Sequence, residues 1–316
     1  MSTRNTLTNK ILSFVENMVY SFNYKEFIGY RELTTSYLYR DIFAEHLGTF
    51  IYLYLGIASC IDWLRQPAST MQIALGMGLG LATSYAIFHR LSGAHFNPAV
   101  TIGFLVTGNT PLIRCLLYII SQLLGAVNAA YLVKVSLPPQ NEELGMTKPI
   151  EVTIIRAFLV EIVITFIFVL MMHTCEDPSR YDIRPCAPFL VGMTATACNV
   201  ASIGYSGGGM NPARSFGPAW VLGIFTDHWI YWVGPCLGGV GASGLYHLCL
   251  KEDIPKVIMR RESATVIIFS NVKSPFLFGF SRIPSMYIYP PEESLNRIFI
   301  KIGTLFLFQI NKNKVS

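Results

Sequence analysis

Asn97-Pro98-Ala99 and Asn211-Pro212-Ala213 are one tripeptide written twice, each copy interrupting an apolar stretch. The register extends beyond the tripeptides. Ser92-Gly93-Ala94-His95-Phe96 precedes the first copy and Ser206-Gly207-Gly208-Gly209-Met210 the second, and the same spacing carries Gly78 onto Gly192 and Gly125 onto Gly239. A duplicated motif inside a duplicated hydrophobic pattern is an internal repeat, which governs every later assignment. In a membrane chain, matched interruptions in two halves point to a site at the bilayer midplane, built from broken helices.

The chain is a membrane protein by composition. Only 14% of its 316 residues are charged and its mean hydropathy is +0.44, against about 25% charged in soluble domains. A spanning helix needs about 20 mostly apolar residues. Six stretches qualify, near 42–61, 71–88, 112–135, 153–173, 187–204 and 229–250. Residues 97–107 and 211–221 are apolar but only about half that length. The expected fold is therefore an all-α membrane protein of six transmembrane helices and two re-entrant half-helices. Three spans per repeat is an odd number, so the repeats are inverted. The channel domain is expected at 42–250, as repeats 42–135 and 153–250, between tails 1–41 and 251–316.

Lys and Arg near the span ends set orientation. Arg31, Arg40, Arg180, Arg184, Lys251, Lys256, Arg260 and Arg261 lie on one side. The other side has Arg65, Lys134 and Lys148, diluted by Asp62, Glu142, Glu143 and Glu151. Both termini are expected in the cytoplasm, with the first half-helix entering from there. Residues 1–40 hold no apolar core suited to a cleavable signal. The net charge of +5 suits an anionic leaflet and gives no reason to expect nucleic acid. Seven cysteines without C-x-x-C spacing read as small buried hydrophobes, so neither a metal nor a cofactor is expected. In the tail, Arg260-Arg261-Glu262-Ser263 resembles a basophilic kinase site, which makes Ser263 a candidate phosphosite.

The tripeptide suits a helix that starts in mid-membrane. Such a start exposes orphan N–H groups. Asn is among the best N-cap residues, and Pro suits the next position because its missing N–H was an orphan anyway. Ala adds no bulk, so two starts can meet. Their lumen would receive amide donors from Asn97 and Asn211. It would also receive two helix N-termini, each with about half an elementary positive charge. Neutral oxygen-bearing molecules are welcome there and cations are repelled. The small residues upstream would offer carbonyls along one polar wall.

Arg214 follows the second tripeptide, and a charge at that depth normally faces a wet cavity. It reads as a fixed positive charge at the extracellular mouth. Glu45 and Glu161 correspond across the repeat with a two-residue gap. They read as acceptors bracing the loops that carry the half-helices, with a proton relay as the alternative. His95 reads as a bracing and pore-edge residue. Gly78, Gly125, Gly192 and Gly239 read as close helix-packing contacts.

Over residues 42–250 these motifs resemble the aquaporins of the major intrinsic protein family, through Ser-Gly-Ala-His-Phe-Asn-Pro-Ala-Val-Thr and Gly-Met-Asn-Pro-Ala-Arg-Ser-Phe-Gly-Pro-Ala. The resemblance implies a homotetramer with one pore per monomer. It also implies a proton-excluding constriction at Asn97, Pro98, Ala99, Asn211, Pro212 and Ala213, and an aromatic/arginine filter nearer the outside. Glycerol-permeable members typically carry Asp after the filter arginine, a basic residue four positions on, and a Pro-aliphatic pair in span 6. Ser215, Ala219 and Tyr231-Trp232 instead resemble the water-selective branch of animal aquaporins. The filter departs from that branch. Met77 stands where Phe is usual, Asn199 where His is usual, and Gly208 where many members have Cys; Arg214 is retained. These smaller or more flexible side chains imply a wider filter that mercury cannot block through position 208.

The resulting expectation is a passive water channel, not an enzyme, that excludes protons and ions and leaves passage of small neutral solutes open. It would sit among lipids in the plasma membrane. The alternative is a channel mainly for glycerol or urea. A transporter coupled through Glu45 and Glu161, or a junctional role, fits less well, because the carboxylates sit on intact spans and both tripeptides are intact.

Overall fold

The computed structural model describes residues 23–62, 66–136 and 144–251. Ser263 and most of the tail lie outside the described residues. Regular structure within them is helical. A short helix α1 (Tyr24–Ile28) precedes the long α2 (Ser36–Ala58) and α3 (Thr70–Ser92). The half-helix α4 (Pro98–Val106) and the long α5 (Leu112–Ser136) complete the first repeat. The second holds α6 (Ile154–Glu176), α7 (Ala187–Ser206), the half-helix α8 (Pro212–Leu222) and α9 (Ile230–Leu245), which continues through a π turn to Leu250. Among the described residues, six long helices and two half-helices make up most of the fold. The segments Thr70–Ser92, Leu112–Ser136, Ile154–Glu176 and Arg184–Ser206 are long and apolar enough to cross a membrane by length and composition alone.

Helix ends run past the apolar stretches for a physical reason. The first begins at Ser36, six residues before the apolar stretch, because the charges there are paired. Asp41 accepts from Arg40 at 2.9 Å and from Arg114 at 2.9 Å, and Arg114 also reaches Glu32 at 2.8 Å. The half-helices are 9 and 11 residues long, or roughly 15 Å at 1.5 Å per residue, about half a hydrocarbon core.

Apolar and polar side chains are sorted as a bilayer requires. Ile155, Leu159, Val163 and Ile167 form an exposed stripe along α6, as do Leu116, Ile120 and Leu124 on α5. Glu45, Gln122, Glu161, Asn199 and Arg214 are buried. Helices α2 and α6 each pack on the next long helix, and α3 packs on α7 across the repeat boundary. The half-helices are exchanged: α4 lies chiefly against α9, and α8 chiefly against α5.

Glycines set these approaches. A Cβ on Gly78 would strike the Thr196 hydroxyl and the Gly192 carbonyl, and one on Gly192 would strike Ala82 and the Gly78 carbonyl. Gly239 lies on the Ala99 carbonyl, and Gly217 in the other half-helix lies on that of Ala126. The cysteines are less uniform than their sequence context suggests. Cys115, Cys175 and Cys198 are buried, whereas Cys186 and Cys249 are exposed, and Cys60 and Cys236 are half-buried.

Gly78→Leu is expected to cost about 1–3 kcal/mol or more by overpacking, read as a lower thermal unfolding midpoint in detergent. Gly244, which has nothing within 4 Å of a built Cβ, supplies the control. Gly244→Ala should leave the midpoint unchanged or raise it slightly, so equal losses would contradict the packing account.

Candidate functional site

The loops that lead into the two half-helices are held by the same devices. Helix α3 ends at Gly93 (φ 84°) and α7 at Gly207 (φ 82°), both left-handed caps. Three residues on, Phe96 (φ 48°) and Met210 (φ 58°) are also left-handed, a conformation that costs a non-glycine residue energy. The neighbouring groups fix it. Glu45 accepts from His95 N–H at 2.9 Å and Phe96 N–H at 2.7 Å, and Glu161 accepts from Gly209 N–H at 2.9 Å and Met210 N–H at 2.6 Å. The Ser92 hydroxyl donates to Glu45, and the Ser206 hydroxyl to Glu161, each at 2.6 Å. Tyr118 and Tyr231 donate their hydroxyls to the Ser92 and Ser206 carbonyls at 3.0 and 2.6 Å.

Each half-helix then starts on its asparagine. The Asn97 side-chain oxygen accepts from Ala99 N–H at 2.8 Å, and that of Asn211 from Ala213 N–H at 2.9 Å. The side-chain nitrogens reach across the repeat. Asn97 Nδ2 donates to the Met210 carbonyl at 3.0 Å, and Asn211 Nδ2 to the Phe96 carbonyl at 2.8 Å. The left-handed turns at Phe96 and Met210 thus present carbonyls to the opposite repeat and N–H groups to a carboxylate. Each amide nitrogen carries two hydrogens, so one remains beyond this bond. Pro98, Ala99, Pro212 and Ala213 are buried in the first turns.

The first repeat has extra support. Gln122 donates to Glu45 at 2.8 Å and to the Thr101 hydroxyl at 3.0 Å, and His95 Nδ1 meets that hydroxyl at 3.1 Å. The His95 ring lies 4.9 Å from Phe104 and 5.5 Å from Tyr118, centroid to centroid. It borders a cavity of about 500 Å³ also lined by Phe104, His173, Glu176 and Tyr246.

Of the four filter positions, one pair is in contact, and Arg214 and Met77 each pack on other residues. Asn199 and Gly208 touch: the Asn199 Oδ1 stands 2.8 Å from where a Cβ on Gly208 would be. Its Nδ2 donates back to the Ala195 carbonyl at 2.8 Å. The space left by Gly208 is therefore partly used by Asn199, and the two departures are coupled. Arg214 is 3% exposed. It donates from Nη1 to the Gly145 carbonyl at 2.7 Å and from Nη2 to Cys60 Sγ at 3.9 Å, while its Nε has no partner. Met77 is buried against Gly56, whose carbonyl accepts from the Cys60 thiol at 3.4 Å.

Tyr52 and Cys60 carried no signal in the sequence. Tyr52 is buried close to the Asn211 side chain and to Arg214. Nothing in either residue's local sequence distinguishes it from a packing residue. Ser92 and Ser206 were visible as the first residues of the repeated loop.

The half-helices meeting at reciprocal asparagines, inside a shell of six long helices with exposed apolar side chains, define a membrane channel fold. The family model described as major intrinsic protein matches residues 32–247, and the chain belongs to that family. The lens fiber major intrinsic protein of Rattus norvegicus is 41% identical over 231 residues, covering 72% of this chain and 88% of the relative. That of Homo sapiens is 40% identical over the same shares. In fold, the chain is similar to the X-ray structure of the aquaglyceroporin from Plasmodium falciparum, with a TM-score of 0.59 and 24% identity, covering 66% of this chain and 96% of that one. The protein is an integral membrane channel and not an enzyme.

Replacing Glu161 with Ala is expected to strand the Gly209 and Met210 N–H groups, at about 1–3 kcal/mol for each buried group left unpaired. Amide deuterium exchange at 207–210 should accelerate markedly, with Glu161→Gln intermediate because it keeps one acceptor oxygen. Unchanged exchange in the Ala variant would show that the carboxylate does not hold the loop.

Proposed function

We propose that this chain is a passive water channel that excludes protons and ions, with its narrowest polar passage between the two asparagines and Arg214. The observation that carries the reading is the reciprocal pair of bonds from Asn97 and Asn211 to the Met210 and Phe96 carbonyls. It supports two half-helix N-termini held facing one lumen. Oriented donors and two positive helix ends bind a water oxygen at little cost, and they oppose a cation. The buried Arg214 adds a full positive charge, which opposes a cation.

The channel domain is read as 42–250, flanked by cytoplasmic tails, in a homotetramer within the plasma membrane. Met77, Asn199, Gly208 and Arg214 form the filter in this reading; Glu45, Glu161 and His95 brace the loops; and Ser263 is a phosphosite. Glycerol or urea as the main cargo is the second reading. It rests on Asn199, whose donor is tied to Ala195, so that the side chain offers an acceptor where the water-selective branch has His.

Stopped-flow swelling of proteoliposomes is expected to show water permeability well above empty liposomes, with low activation energy and little glycerol or urea uptake. Arg214→Val should raise glycerol and urea uptake several-fold. Uptake of those solutes outpacing water in the unmodified protein would favour the second reading. Water permeability at liposome background, from folded protein, would exclude both.

A further inference from the structure

We infer that Cys60 is a specificity-determining residue of the Arg214 constriction, and that its thiol is a modification site through which a small disulfide-forming electrophile closes the pore. This rests on the reading of Arg214 as a pore residue.

Cys60 lies just past the end of α2, where it is tied to three neighbours. Its thiol donates to the Gly56 carbonyl at 3.4 Å and accepts from Arg214 Nη2 at 3.9 Å. A Cβ on Gly145 would sit 2.6 Å from Cys60 Cβ and 2.8 Å from its sulfur. Gly145 is left-handed at φ 60°, and its carbonyl accepts from Arg214 Nη1. Cys60 and Gly145 therefore hold the two terminal nitrogens of one guanidinium from adjacent positions. With both terminal nitrogens held, the place of the guanidinium is set by residues 60 and 145.

The chain uses sulfur here, where the contact to Arg214 is long and the partner soft. Sulfur is a weak acceptor, so Arg214 is held less firmly on this side than by the Gly145 carbonyl. The position of the guanidinium, and with it the width and donor direction of the passage, depends on what stands at 60. Gly208 leaves no thiol on the opposite loop, and Cys198 is buried. Cys60 is half-buried, so its side chain is not wholly sealed from a reagent.

The modification step balances simply. The Cys60 sulfur attacks the sulfenyl sulfur of an alkyl methanethiosulfonate. An S–S bond forms, the S–SO₂ bond breaks, and methanesulfinate leaves with the electron pair while the thiol proton goes to solvent. Cys60 is oxidised to the mixed disulfide and the reagent supplies the oxidising sulfur. The added group stands beside Arg214, in the passage.

The test uses the full-length protein in proteoliposomes, treated on both faces with 2-sulfonatoethyl methanethiosulfonate. Peptide mass analysis reads which cysteines are labelled, and swelling reads water permeability against each variant's own untreated value. The unmodified protein should be labelled at Cys60, lose at least half its water permeability, and recover on reduction. Cys60→Ser should keep its untreated permeability under reagent, although Cys186 and Cys249 remain. Cys60→Ala, which removes the acceptor, should shift the ratio of urea to water uptake, and Cys60→Ser should restore it towards the original. The inference is overturned if Cys60 is not labelled, if labelling leaves permeability unchanged, or if Cys60→Ser is blocked as fully as the unmodified protein. It is overturned too if the Ala and Ser variants share one solute profile. In all of these the untreated channel still conducts water. Absence of untreated water conduction would instead defeat the functional reading, and this inference with it.

Discussion

A helix that starts inside hydrocarbon must satisfy its first N–H groups without water. The bonds exchanged between Asn97 and Asn211 and the opposite carbonyls answer that constraint, and much of the structure follows from it. Each asparagine side chain closes its own helix start with its oxygen and the partner loop with its nitrogen. Neither half-helix is complete alone. The exchanged packing of α4 on α9 and α8 on α5 has the same cause, because the starts can face each other only if each half-helix leans on the other repeat's third long helix.

The exchange requires a particular backbone. Phe96 and Met210 aim their carbonyls across the repeat by adopting left-handed torsions, and such strain persists only where the surroundings over-determine it. Two buried carboxylates do so. A lone buried carboxylate is costly, but Glu45 accepts four hydrogen bonds and Glu161 three. Gln122 supplies the additional bond in the first repeat; position 236 in the second is a cysteine. The repeats thus share a mechanism of support but not every residue of it.

The six spans, the half-spans and the inverted repeat were legible, because periodic apolar runs and a duplicated motif are local signals. Span ends were less so. Hydropathy falls at Arg40-Asp41, while the helix continues because Arg114, 73 residues away, completes the charge pairing. Glu45 and Glu161 stood out as the acidic residues inside spans. Tyr118 did not, since one phenol among sixteen tyrosines looks like any interfacial aromatic, and Tyr231 stood out only as part of the Tyr231-Trp232 pair, not as a support for the loop. The contact between Asn199 and Gly208 depends on how the chain turns at the end of α7. The Cys60–Arg214 contact joins residues 154 apart. Neither follows from spacing, and both bear on the filter.

The central claim is that the facing helix starts pass water while opposing a proton. Proton flux and water flux can be measured on one proteoliposome preparation, with a pH-sensitive dye inside and an imposed pH gradient held without osmotic difference. The account predicts a water permeability far above that of empty liposomes, together with a proton leak indistinguishable from theirs. A proton flux that rises with protein content in step with water permeability would contradict it.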